Sequence, residues 1–153
     1  MTRGGRSGLR NYVDGNIYTS PHTHTKESMF KVIHNKVFGI QTVVSLGQSD
    51  EDLETCLDIA KLPKVDDYEF LYMDEIDGFS GRTLMDNSGL ILMRVNTAKR
   101  TVNSLAVIQH EIFHIVDFLL QFIDTPLTDE TNEVYAYLIE YYTREIYFQI
   151  IKG

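Results

Sequence analysis

A chain of 153 residues, 43% hydrophobic and 24% charged, has the composition of a soluble globular protein and enough length for one real core. A net charge of −8 disfavours nucleic acid or an anionic membrane as the main partner of the whole molecule. The single cysteine, Cys56, excludes an intrachain disulfide and fits a reducing compartment as a small buried hydrophobe.

The charge is unevenly spread. Residues 1–36 carry six Lys/Arg against two Asp/Glu, for +4, whereas residues 48–77 carry two against eleven, for −9. Such an acidic block is expected to form a solvated face. No basic-then-apolar leader opens the sequence, and polar residues interrupt every apolar stretch before it reads as membrane-spanning. The expected location is the cytoplasm.

In chain order, residues 1–26 are rich in Gly, Ser, Thr and Arg and read as a flexible arm, with Arg3, Arg6 and Arg10 solvated. His22 and His24 form an H-x-H without a scaffold and are not read as ligands. Residues 27–153 read as a single domain. Residues 27–37 fit a short helix and an extended segment about equally. Residues 40–46, short and β-branched, predict a strand that Gly47 ends. Ser49 then looks like an N-cap, with Asp50, Glu51 and Asp52 in a first turn where the helix dipole favours acids, and Pro63 follows the helix end.

Residues 69–76 predict a further strand, and Asp77-Gly78 and Ser80-Gly81 punctuate a turn. Residues 82–85 and 90–95 predict a hairpin joined at Asp86-Asn87-Ser88-Gly89. We expect its second strand, through Leu90, Ile91, Leu92 and Met93, to be a sheet edge able to take an extended peptide by strand addition. A long helix should start between Thr101 and Ser104 and run to about Ile123, with Leu105, Ile108, Ile112, Ile115, Leu119 and Phe122 on its apolar face. Asp124-Thr125-Pro126 breaks it, and a last helix should run from near Thr128 to about Ile151. The fold class is therefore α+β: a small, mostly antiparallel sheet on two long helices and a shorter one.

The chemistry is concentrated in His110-Glu111-Ile112-Phe113-His114. Two histidines four apart on a helix point the same way, so both imidazoles can ligate one Zn²⁺. A Glu directly after the first His reaches the water on such a metal as general base. With five His and ten Glu in 153 residues, chance would supply only about 0.01 such pentapeptides, so a coincidental pair of helix histidines is the weaker reading.

Together with Asn132-Glu133-Val134-Tyr135-Ala136-Tyr137, this pentapeptide resembles the gluzincin zinc metallopeptidases, in which H-E-x-x-H on one helix is completed by a Glu on the next. Eighteen residues separate His114 from Glu133, the spacing of the aminopeptidase-type members, whose second motif often reads N-E-[GA]-F-A. The order of elements over residues 69–151 is also similar to minimal gluzincins, to small metallopeptidase-like proteins of bacteriophages, and to domains that cleave prophage repressors. The resemblance implies a zinc-dependent peptidase acting on a protein or peptide, with His110, His114 and Glu133 as metal ligands and Glu111 as base. Val134 stands where that family has a small residue, and the family's Tyr or His from a downstream domain is not expected to contribute. Tyr137, Tyr141, Tyr68 and Tyr72 remain as transition-state donors.

Three further positions enter the reading. Asp117, three residues after His114, is a candidate to orient a ligand His from outside the metal shell. Glu140 rivals Glu133 as third ligand. A four-residue connection at residues 124–127 would return Glu133 to the His pair and leave Glu140 about 10 Å further on. Tyr137 would then lie near the site. The Tyr-rich last helix suggests a homo-oligomer or larger assembly. A non-enzymatic phage-particle component on a zincin-like scaffold, hence a virion location, and a repressor-cleaving regulatory peptidase are the alternatives.

Overall fold

The central strands must be apolar on both sides, because helices cover both faces of the sheet. The computed structural model describes residues 10–13, 16–19, 28–62, 78 and 80–152. Within them, six strands and three helices follow in the order β1 (Arg10–Val13), β2 (Asn16–Thr19), β3 (Met29–Asn35), β4 (Ile40–Leu46), α1 (Asp50–Ile59), β5 (Gly81–Met85), β6 (Ile91–Val95), α2 (Val102–Phe122) and α3 (Asn132–Lys152). The strands form one mixed sheet in the order β2-β1-β3-β4-β6-β5, an α+β fold. Three neighbouring pairs are antiparallel, while β1–β3 and β4–β6 are parallel.

Alternation along β3, β4 and β6 sends side chains into two cores. Phe30, Val32, Val43 and Leu92 meet Leu53, Cys56 and Leu57 of α1 on one face. Met29, Ile33, Val44, Ile91, Met93 and Val95 meet the apolar stripes of α2 and α3 on the other. Burial on both faces explains why residues 27–37 lack a clear strand period: there is no polar face to alternate with. The α1 start is as expected, with the Ser49 hydroxyl accepting from the Asp52 N–H at 3.0 Å. Arg94, buried in β6, reaches the same helix end, where it pairs with Asp50 and donates to the Gln48 carbonyl at 2.8 Å.

Three expectations are corrected. Leu90, Ile91, Leu92 and Met93 are not a sheet edge: β6 is paired with β4 on one side and β5 on the other, and its unbroken apolar run is that of an interior strand. Among the described residues the sheet's edges are β2 and β5, and β5 is the one beside β6. The stretch read as an N-terminal arm supplies two strands, since residues 10–13 pair with both residues 16–19 and β3. Finally, α2 is long and apolar enough, by length and composition, to cross a membrane. It is a core helix here, because Ile108, Ile112, Ile115, Val116, Leu119 and Leu120 are all buried. The strand expected over residues 69–76 and the candidates Tyr68 and Tyr72 lie outside the described residues.

The β5–β6 hairpin turns as its sequence demands. The Asp86 carboxylate accepts from the N–H groups of Ser88 and Leu90, both at 2.9 Å, and Gly89 adopts φ +89°. A methyl group at Gly89 would also stand 3.0 Å from the Phe122 ring. Gly89→Ala should therefore lower the unfolding free energy by more than about 1 kcal/mol, measured by urea denaturation, with an unchanged m-value.

Candidate metal centre

One helix positions three of the four expected site residues. Thr101 caps α2 by accepting from the Ser104 N–H at 3.2 Å, which sets the helix phase. With Ile108, Ile112 and Ile115 against the sheet, His110 and His114 emerge on the outer flank, one turn apart. Their Nε2 atoms converge to 3.1 Å, with ring centroids 4.8 Å apart. At that separation one neutral imidazole N–H can donate to the other ring's lone pair. Two nitrogens each about 2.0–2.1 Å from a tetrahedral zinc would stand about 3.3 Å apart, so the pair is spaced as two ligands of one ion need.

Glu111 points elsewhere, inward and toward β5, and is buried at 4% exposure. Thr83 donates its hydroxyl to Glu111 Oε2 at 2.5 Å. Gly81 leaves room for the rest of the side chain: a Cβ there would sit 2.5 Å from Glu111 Cγ and 2.9 Å from Oε1. Both residues escape a reading of the sequence alone. Ser80-Gly81 reads as turn punctuation, yet Gly81 opens a strand at the point where that strand closes on a helix side chain.

The second motif falls differently from expectation. The turn at residues 128–131 closes on itself, because Thr131 Oγ1 accepts from the Thr128 N–H at 2.8 Å and donates to the Pro126 carbonyl at 2.6 Å. Helix α3 therefore starts at Asn132, and nine residues rather than four separate it from α2. Its level against α2 is fixed by three contacts. Tyr135 donates to Asp117 at 3.0 Å, Thr143 meets Gln109 at 3.4 Å, and Tyr147 donates to the Leu105 carbonyl at 2.8 Å. All three share one antiparallel register. That register sets Glu133 level with Leu119, and Glu140 level with Ile112, midway between the two histidines.

Glu140 also lies three residues before Thr143 and seven before Tyr147, on the stripe of α3 that faces α2. Glu133 is seven residues back, about 10 Å along the axis. The structure thus does not bring Glu133 to the His pair. Among the described residues no third His, Cys, Asp or Glu joins the two histidines in a metal-binding group. The Glu140 carboxylate pairs instead with Arg144, one turn on.

Two supporting roles are also corrected. Both oxygens of Asp117 are engaged, by Tyr135 and by Gln121 at 2.7 Å, so Asp117 anchors α3 to α2 and does not orient a histidine. Burial, and then the Asp117 hydrogen bond, raise the Tyr135 phenol above its ordinary value and keep it a donor. Tyr137 stands two residues past the inward Tyr135, on the opposite side of α3, and is 69% exposed.

No family model, no curated protein and no solved structure matches this chain. The geometry therefore stands by itself.

The contact between Gly81 and Glu111 can be measured. Gly81→Ala should destabilise the protein by about 1–3 kcal/mol, the range for an overpacked site. In a Glu111→Ala background, which removes the crowding atoms, most of that cost should vanish. An additive double-mutant cycle would place the Glu111 side chain away from β5.

Proposed function

We propose that this chain is a zinc-dependent peptidase hydrolysing a peptide bond in a protein or peptide substrate. The observation that supports it best is the convergence of His110 and His114 Nε2 to 3.1 Å. His110 and His114 would hold the ion through nitrogen, and Glu140, released from Arg144, would add a carboxylate. Bound zinc supplies a Lewis acid and lowers the pKa of water toward neutrality.

Glu111 is the general base. To accept the proton of the attacking water and pass it to the leaving amine, its carboxylate would turn from Thr83 toward the two histidines. The substrate binds as an added strand on β5, which among the described residues is the sheet edge that touches Glu111. Backbone pairing there draws an extended peptide past the base while asking little of its side chains.

A second reading, a scaffold protein without catalysis, draws on the Glu140–Arg144 pair, which occupies the nearest carboxylate of α3. Zinc titration separates the two. The peptidase reading expects about one Zn²⁺ per chain by elemental analysis after dialysis, and no uptake would sink it. Glu140→Ala should weaken zinc binding at least tenfold, while Glu133→Ala leaves it near wild type; the reverse would mean that α3 slides by two turns in solution.

Chemistry is tested apart from binding. Glu111→Gln should keep the zinc and the melting temperature but cut cleavage of an unfolded protein substrate by about 100-fold or more. Loss of zinc in that variant would make Glu111 a ligand and leave the reaction without this base.

A further inference from the structure

The histidine pair is a metal site that one chain fills only half-way. His110 and His114 supply two nitrogens, and among the described residues no third His, Cys, Asp or Glu joins them in a metal-binding group. Zinc takes four ligands in a tetrahedral array. The two nearby carboxylates are both engaged: Glu111 accepts from Thr83 at 2.5 Å, and Glu140 pairs with Arg144. Recruiting Glu140 breaks that ion pair and still leaves one position to water.

A second copy of the chain completes the site without disturbing either carboxylate. His110 is exposed and His114 half-buried on the outer flank of α2, so the pair can be reached from outside the fold. Ala106, one turn before His110, is exposed and too small to stand in the way. A two-fold axis through the ion sets the same two nitrogens of the partner on its opposite side. Four imidazoles in two pairs then make the tetrahedron, each pair spanning an edge close to the 3.1 Å between these Nε2 atoms. A site that one protomer half-fills and a two-fold completes is isologous, so assembly closes at two chains. We infer that two copies of this chain share one Zn²⁺ through His110 and His114 of each. The shared ion has no open position, which is the structural and not the catalytic pattern. The regulatory sense of the dimer rests on the peptidase reading: the bridged form is inactive, and zinc excess releases monomers that each hold their own ion.

Sedimentation equilibrium at micromolar protein, with zinc added stepwise, reads the bridge directly. Monomer is expected in chelator, dimer at about one Zn²⁺ per two chains, and monomer again in zinc excess. X-ray absorption at the zinc edge should count four imidazole nitrogens per metal in the dimer. His114→Ala should stay monomeric at every zinc level while keeping its helical circular dichroism. Glu140→Ala should dimerise like wild type and stay dimeric further into zinc excess, because it lacks the carboxylate that lets one chain hold an ion alone. A chain that binds about one Zn²⁺ as a monomer from the first addition overturns the inference and leaves the peptidase reading standing. A dimer that persists in chelator, or one that Glu140→Ala abolishes, overturns it as well. A zinc-bridged dimer that never loads a second ion in excess upholds the bridge and sinks the peptidase reading.

Discussion

The phase of α2 on the sheet governs the rest of this structure. The helix must present Ile108, Ile112, Ile115 and Leu119 to the strands, and a full core fixes that rotation. Once it is fixed, His110 and His114 have only the outer flank, and Glu111 has only the side next to β5. A carboxylate arriving under a strand needs a hydroxyl to satisfy it and a gap to fit into. Thr83 is the first and Gly81 the second, two residues apart and on the same face of β5. The edge strand and the metal helix are thus specified together.

Docking of α3 obeys a different kind of constraint. Its apolar stripe would tolerate a shift along α2 by a turn, since Tyr142, Ile146 and Ile150 recur at helical spacing. Directional contacts remove that freedom. Tyr135 on Asp117, Tyr147 on the Leu105 carbonyl, Arg100 on the Ile150 carbonyl at 2.8 Å, and Lys31 on Glu145 at 2.7 Å each hold one level only. Polar contacts here set register and apolar burial supplies the attraction, as is usual where a helix lies on a broad apolar surface.

Local rules make much of this legible in the sequence. Ser49 as a cap, a helix start between Thr101 and Ser104, the Asp86-to-Gly89 turn, the strand over residues 40–46, the α+β class and two histidines on one side of a helix all follow from spacing and turn chemistry within a few residues. What escapes depends on distance in sequence. The partners of β6 are decided by β4, roughly fifty residues away, so an interior strand reads as an edge although its run of four apolar residues already hints at two buried faces. The level of Glu140 depends on hydrogen bonds within residues 126–131 that add one turn to the connection. Gly81 and Thr83 matter only because a helix thirty residues later passes over them. The H-E-x-x-H spacing names the chemistry, but which carboxylate completes it is a tertiary question.

The parallel pairing of β4 with β6 has a consequence for how the chain can be divided. All residues of the proposed metal chemistry, and the edge strand beside them, fall after residue 80. A fragment beginning there would contain the whole motif and yet lack β4, the inner neighbour of β6, together with the Phe30, Val43 and Leu57 surface that covers Leu92. Its strand pair would be a two-stranded ribbon with a bare hydrogen-bonding edge and, on the side α1 normally covers, an exposed apolar face, a template for aggregation. The chemistry is local in sequence, whereas the foldable unit is not. Any transplant of this motif into another protein must carry the N-terminal half of the sheet with it.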